Sequence, residues 1–199
     1  MIPEDIQRDL AACLRLMGRW MDSGRALVPS LELGIRQATQ PRVRQTLQAM
    51  LDGWWKERNI LPPAEKATDV FPRSACGFTM AGFDSWTLGM TWPRAADLME
   101  WRLKHADGEA AFCMTLGALM QSGTPIVFSF DAIAADCESP EMRTIAAEMK
   151  AKVLEGQSIS GIAAAHSGFF SKELAPLIEK TEQDGTLGEA LFAYARKGE

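Results

Sequence analysis

The sequence predicts an all-α protein built as two tandem antiparallel helical bundles, with about six short helices in each. Three observations support this fold class. Apolar residues recur at spacings of three and four along the chain, which is the period of an amphipathic helix. Glycine and proline interrupt these segments at intervals typical of short helices joined by tight turns. The chain also repeats itself after 99 residues, which indicates that one helical unit was duplicated.

The repeat aligns without a gap. Met21–Met50 and Met120–Met149 have the same length, and both open on Met-x-Ser-Gly and close on Met. Of the 85 positions from 12 to 96, 17 carry the same residue 99 positions later. Solenoid repeats have periods of roughly 20–50 residues, whereas each copy here is long enough to bury its own core. We therefore predict two domains, residues 1–106 and 107–199, with a boundary near Asp107-Gly108.

The helices of each copy follow from its glycines and prolines. Gly24 and Gly123 lie where a first helix would end, a position that favours a residue able to adopt positive φ. Pro125 fits the opening turn of a second helix, and Pro41 and Pro140 fit the start of a third. The segment EGQSIS introduces a short fourth helix, and QDGTLGEAL separates a fifth helix from a sixth.

Composition and charge exclude several classes of protein. Hydrophobic residues make up 47% of the chain and charged residues 24%, which is typical of a folded globular protein. A net charge of −5 without a basic cluster argues against nucleic-acid binding. The most apolar window, residues 110–136, is interrupted by polar residues, glycine and proline, which argues against a membrane span. The first residues, MIPEDIQRDL, do not resemble a signal peptide, so we expect a cytoplasmic protein.

The sequence contains no pattern that predicts catalysis. His105 and His166 are the only histidines, and neither has a nucleophile or carboxylate at an informative spacing. Neither a G-x-S-x-G elbow nor a phosphate-binding glycine loop is present. The four cysteines form no C-x-x-C pair. We therefore predict no enzymatic activity, no metal and no cofactor.

Two groups of residues are candidates for binding. Glu182, Asp184 and Glu189 form an acidic cluster at a helix junction, where carboxylates can hold a divalent cation or face a partner. Solvated charges beside helix ends are the alternative interpretation, and the sequence leaves both open. Trp54 and Trp55 are adjacent and cannot both face one helical interior, so we expect at least one of them at an interface.

Several elements of the second copy occur in order and resemble the type II secretion system F domain family. A first helix ends on the turn at Gly123, and the helix that Pro140 begins closes on a turn opened by Gly156. A Glu-x-x-Gly-x-Leu element follows, with Gly185 and Leu187 in its last two defined positions. The resemblance covers residues 109–195. Members of this family are the inner-membrane platform proteins of type II secretion and type IV pilus machines.

The first copy resembles the family less. It has Phe83 where the second copy has Glu182, and Trp86 where the second copy has Gly185. We interpret it as a diverged F-like bundle. Family members hold their two domains apart with membrane-spanning helices, whereas here only DLMEWRLKHADG joins the copies. Two interpretations stay open: a soluble relative of the family, or a piece of a longer membrane protein.

The resemblance implies a non-enzymatic scaffold or adaptor that acts by protein–protein docking. The partners it implies are a cytoplasmic assembly ATPase, other F domains and the inner membrane surface. A second copy of the chain is a further candidate partner, and the net charge excludes nucleic acid. Its location would be the cytoplasm, with a peripheral position at the inner membrane as a variant of this hypothesis. The alternative is a regulatory or ligand-binding helical protein that has become detached from the secretion machinery.

Overall fold

The computed structural model describes residues 2–197, and all regular secondary structure in this range is helical. Twelve α-helices occur in the described range, so the all-α prediction is confirmed. The chain divides into two compact units, the first ending at Lys104 and the second beginning at His105. Within residues 2–197, every helix is too short or too polar to cross a lipid bilayer.

The first unit contains six helices packed around an apolar core. In chain order they are α1 (Glu4–Asp22), α2 (Leu27–Gln37), α3 (Pro41–Glu57), α4 (Leu61–Lys66), α5 (Arg73–Asp84) and α6 (Leu88–Arg102). Trp92 is fully buried in α6, and its indole Nε1 donates a hydrogen bond to Thr79 Oγ1 at 3.0 Å. This bond satisfies the one polar atom of a large buried side chain.

The second unit also contains six helices. They are α7 (Glu109–Gln121), α8 (Ile126–Asp136), α9 (Pro140–Leu154), α10 (Ile159–Ala165), α11 (Leu174–Asp184) and α12 (Leu187–Ala195). Phe112 is central to the core, because its ring packs edge to face on Phe170 at 5.2 Å and contacts Phe130 at 6.4 Å. An edge-to-face pair of this kind contributes about 0.5–1.5 kcal/mol beyond the burial of its two rings.

Helix boundaries and helix packing repeat between the units. The helices α2 and α8 begin and end 99 residues apart, and the starts of α3 and α9, and of α6 and α12, differ by the same 99. In each unit every helix packs on its neighbour in sequence, and the first helix packs on the last. The two units therefore share one arrangement of helices, although most of their residues differ.

Glycines allow the first and last helices of each unit to approach closely. A Cβ atom at Gly117 in α7 would lie 2.6 Å from the backbone nitrogen of Phe192 and 2.8 Å from the carbonyl oxygen of Gly188, both in α12. At the equivalent Gly18, a Cβ atom would lie 2.3 Å from the ring of Pro93. Larger residues at these crossings would force the helices apart, which accounts for the repetition of this glycine.

A carboxylate and an arginine hold the turn after the second helix in both units. Asp9 accepts hydrogen bonds from the backbone nitrogens of residues 39 and 40, and Asp107 accepts them from residues 138 and 139. Arg44 donates to the carbonyl oxygen of Ala38, as its repeat partner Arg143 does to that of residue 137. These side chains satisfy backbone groups that helix ends leave unpaired.

Candidate functional site

The family-signature residues of the second unit all lie at helix ends. Gly123, Gly156 and Gly185 have φ values of +87°, +85° and +76°, and they follow α7, α9 and α11. An L-residue with a side chain adopts this conformation only at a cost, so glycine is favoured at each turn. Pro140 is the first residue of α9, and Leu187 begins α12 with its side chain buried. These residues therefore shape the turns and helix starts of the unit.

Glu182 caps a helix that is distant in sequence. Its carboxylate accepts hydrogen bonds from the backbone nitrogens of Ile159, at 2.6 Å, and Ser160, at 3.0 Å. These are the first two residues of α10, whose positive dipole end favours a negative charge. Ser158 adds a third cap by accepting from the nitrogen of Gly161 at 3.1 Å. The carboxylate of Glu182 therefore stabilises the start of α10.

Asp184 is the last residue of α11, and Glu189 lies in the first turn of α12. Asp184 Oδ1 accepts hydrogen bonds from the hydroxyl of Thr186 at 2.5 Å and from its backbone nitrogen at 3.0 Å. These bonds hold the pKa of the Asp184 carboxyl below its usual range. Glu189 is exposed in the first turn of the helix. Among residues 2–197, no group of three or more acidic, histidine or cysteine side chains is arranged to hold a metal ion.

The structure places Trp54 and Trp55 in the last turn of α3. Trp55 is 58% exposed, whereas Trp54 is half-buried and packs edge to face on Phe83 of α5 at 6.2 Å. The guanidinium of Arg58 lies over both indoles, at 5.4 Å from Trp54 and 5.7 Å from Trp55. The contact with Phe83 shows that α3 and α5 end at the same end of the first unit.

Further exposed apolar side chains lie at this end, and sequence reasoning did not select them. Trp86 in the turn between α5 and α6 is 88% exposed, and its φ is +61°. Met90 in the first turn of α6 is 53% exposed, and Trp20 near the end of α1 is 38% exposed. The signal for Trp86 was present in the repeat, because its partner 99 residues later is Gly185. We call the set the aromatic end, which consists of Trp20, Trp54, Trp55, Phe83, Trp86 and Met90.

A polar network in the second unit also escaped the sequence analysis. Glu109 Oε1 accepts hydrogen bonds from Ser171 Oγ and from the Tyr194 hydroxyl, each at 2.8 Å, and the two donors lie 2.7 Å from one another. Burial raises the pKa of the Tyr194 phenol above its usual range. The network ties the start of α7 to the end of α12, so its role is structural. Its members are 62 and 85 residues apart, and no local pattern connects them.

His166 and the side chains beside it do not form a catalytic arrangement. His166 Nε2 lies 3.1 Å from Glu148 Oε2, and Lys152 forms an ion pair with the same carboxylate. The hydrogen bond from Lys152 is the main cause of a lowered pKa for Glu148. This carboxylate is therefore stabilised in its charged form, and so it is a poor base at neutral pH.

An open groove of about 540 Å³ lies along α3 and α4 of the first unit. Its lining mixes apolar residues such as Pro63 and Val70 with charged ones, including Arg42 and Asp69. Arg42 and Asp69 form an ion pair with one another. The charges of these two groove residues are therefore directed at one another rather than at a ligand.

These features define a class of protein: a chain of two six-helix units with the same order and packing of helices, in which the candidate carboxylates Glu182 and Asp184 bind backbone groups at helix ends. Comparison with known proteins then shows what the second unit is similar to. Residues 112–197 match the family model described as "Type II secretion system (T2SS), protein F". The resemblance predicted from the turns of this unit is thereby confirmed, and the matched residues run from α7 through α12.

A curated relative agrees with the family match. The type IV pilus assembly protein PilC of Pseudomonas aeruginosa is 29% identical over 86 residues. The aligned part is 43% of this chain and 23% of PilC, so the chain spans about a quarter of that relative. The chain is thus similar to a protein of pilus assembly over one unit.

Proposed function

We propose that this chain is a non-enzymatic scaffold of a type II secretion or type IV pilus assembly, acting by protein–protein docking. The observation that carries the proposal is the family match at residues 112–197, which covers α7 except its first three residues and all of α8 to α12. The first unit, with the same helix register and packing, would be a diverged F-like domain. The proposed domain limits are 1–106 and 107–199, and the proposed location is the cytoplasm, with a peripheral position at the inner membrane as a variant.

The chemistry of the second unit supports docking over catalysis. Glu182 and Asp184 are engaged with backbone groups, whereas Glu189 is exposed at the same end of the unit. A partner can therefore reach Glu189 without disrupting a cap. The proposed partners are a cytoplasmic assembly ATPase, other F domains and a second copy of this chain. An exposed carboxylate at an interface mainly sets orientation and association rate.

The test is binding of the purified full chain to an assembly ATPase of a type II secretion or pilus machine from the same host, measured by titration calorimetry. Glu189→Ala should weaken binding about twofold to fivefold, since an exposed ion pair contributes up to about 1 kcal/mol. Glu141→Ala is the matched control, because Glu141 is also an exposed acid in the first turn of a helix, at the opposite end of the unit. Lack of binding to any such ATPase would refute this choice of partner, and equal effects of the two variants would refute the role of Glu189.

A further inference from the structure

The aromatic end contains a residue that the fold itself does not require. Trp86 holds a left-handed backbone conformation, φ +61°, at a turn where the second unit has Gly185 with φ +76°. That conformation costs a residue with a side chain about 1–2 kcal/mol relative to glycine. Burial does not offset this cost within the chain, because 88% of the Trp86 surface is exposed. An interaction outside the chain would give this side chain a stabilising role.

Contacts between helix ends place the other exposed side chains beside Trp86. The contact of Trp54 with Phe83 brings the end of α3 to the end of α5, just before the Trp86 turn. A Cβ atom at Gly89 would lie 3.0 Å from the backbone nitrogen of Asp22, so α1 ends against the start of α6. Trp20 and Met90 flank that contact in sequence. The aromatic end is therefore one continuous end of the first unit.

The second unit has the same architecture without exposed aromatic residues at this end, where Leu154 stands at the position of Trp55. Residues 99 positions after Phe83, Trp86 and Met90 are Glu182, Gly185 and Glu189. The position equivalent to Trp20 is Leu119, which is fully buried. A bundle of this design therefore forms with acidic residues and glycine at this end. The exposed aromatic residues are a property of the first unit alone.

The size of the surface matches a weak protein interface. Trp20, Trp55, Trp86 and Met90 are 38%, 58%, 88% and 53% exposed, which gives roughly 500 Å² of mostly apolar surface at 150–250 Å² for each side chain. Two such surfaces facing each other would bury roughly 1,000 Å², which is the lower bound of a specific interface. The surrounding polar residues would add to this area as a rim.

Charges around the aromatic end favour a second copy over a membrane or a nucleic acid. The guanidinium of Arg25 lies 5.4 Å from the centre of the Trp20 ring, and Arg58 covers the indoles of α3. Exposed carboxylates of Asp22 and Asp84 lie at the ends of α1 and α5. These two arginines and two acids balance, so they give an anionic surface no excess of positive charge to bind, whereas a surface with both signs can complement itself across a two-fold axis.

We propose that the aromatic end of the first unit binds the aromatic end of a second copy of this chain, forming a two-fold symmetric dimer. Trp86 is the central contact, with Met90 and Trp55 beside it. This inference rests on the proposed docking function and assigns its self-association to particular residues. The dissociation constant is expected in the micromolar range, on the order of what a small interface with one Trp anchor provides.

The test is sedimentation velocity of the full chain over roughly 1–200 µM, where mass action resolves a micromolar dimer. Trp86→Gly installs the residue of the second unit, so it removes the contact and relieves the backbone at the same time. We expect it to raise the dissociation constant about 30-fold or more, as loss of a central Trp does. Met90→Glu, which copies Glu189, should act in the same direction.

Leu154→Glu is the matched control, because Leu154 is 66% exposed at the end of α9 in the second unit and the change introduces the same charge. It should leave the dimer intact. A wild-type chain that stays monomeric throughout the range would overturn the proposal, as would equal effects of Trp86→Gly and Leu154→Glu. Flotation with phosphatidylglycerol vesicles tests whether the aromatic end binds a membrane. Vesicle binding that depends on Trp86 would overturn the dimer and assign the surface to a membrane.

The outcome is independent of the partner experiment. Self-association needs no ATPase, and its variants lie in the first unit, whereas Glu189 lies in the second. A dimer without ATPase binding would leave this inference standing while refuting the proposed partner. ATPase binding by a strictly monomeric chain would refute the dimer and support the proposed partner.

Discussion

Replacing Gly117 by alanine should destabilise the second unit by about 2 kcal/mol. The added Cβ would meet the backbone nitrogen of Phe192 at 2.6 Å and the carbonyl oxygen of Gly188 at 2.8 Å. Because these atoms belong to the backbone of α12, no side-chain rotation relieves the overlap and the helices must separate. Overpacking costs about 1–3 kcal/mol, and we expect the upper value here because the overlap is with backbone atoms. Replacing a helical glycine by alanine stabilises the helix by about 0.5–1 kcal/mol, and the difference gives the expected loss.

The tryptophans allow each unit to be monitored separately. All six lie before residue 105, so Trp fluorescence reports on the first unit, whereas far-UV circular dichroism reports on both. A loss of about 2 kcal/mol in a unit of this size lowers its melting temperature by roughly 8–16 °C. Gly117→Ala should therefore shift the dichroism transition of the second unit and leave the fluorescence transition unchanged.

Gly161→Ala provides the control for helix propensity. Its Cβ would contact only the rotatable hydroxyl of Ser158, at 3.0 Å, so we expect a change within about 0.5 kcal/mol. A Gly117→Ala protein as stable as wild type would refute the close helix crossing. A fluorescence transition that moves together with the dichroism transition would refute independent unfolding of the two units.

Two further predictions concern titratable groups. Burial raises the pKa of the Cys13 thiol to about 12, and all four cysteines are buried, so Ellman's reagent at pH 8 should label no thiol until the protein is unfolded. Rapid labelling of the native chain would contradict this. Because the folded pKa of Asp184 is lowered, its bonds to Thr186 should persist at neutral pH and be lost only as pH falls through that folded pKa. The Thr186 amide resonance should titrate with a midpoint below about 3.9, the ordinary Asp value. Asp184→Asn should abolish this titration. A midpoint at or above about 3.9 would contradict the lowered pKa of Asp184.

Local sequence signals predicted the helices and their turns. Gly123 and Gly185 have the positive φ that helix-ending glycines favour, and Pro140 begins a helix as the sequence indicated. Such features depend on a few neighbouring residues, so a single sequence contains them. The 99-residue repeat predicted the same turn in the first unit, where Gly24 has φ +89°.

Contacts between residues distant in sequence could not be predicted from such local signals. The repeat identified Gly18 and Gly117 as shared, but a glycine at a tight crossing looks the same in sequence as one in a loosely packed helix. Glu182 was placed in an acidic cluster, whereas the structure pairs it with amides 22 and 23 residues earlier. Asp9 and Asp107 perform the same task although they differ by one position from the repeat register, so alignment did not connect them.

The antiparallel pairing of first and last helices has a topological consequence. Arg15 in α1 pairs with Asp97 and Glu100 of α6, and Gln121 at the end of α7 donates to Gly188 near the start of α12. The polypeptide therefore enters and leaves each bundle on the same side. A module with adjacent termini can be inserted into other chains, or have segments spliced between its copies, without rearranging its interior. Duplication of such a unit needs only a short connection.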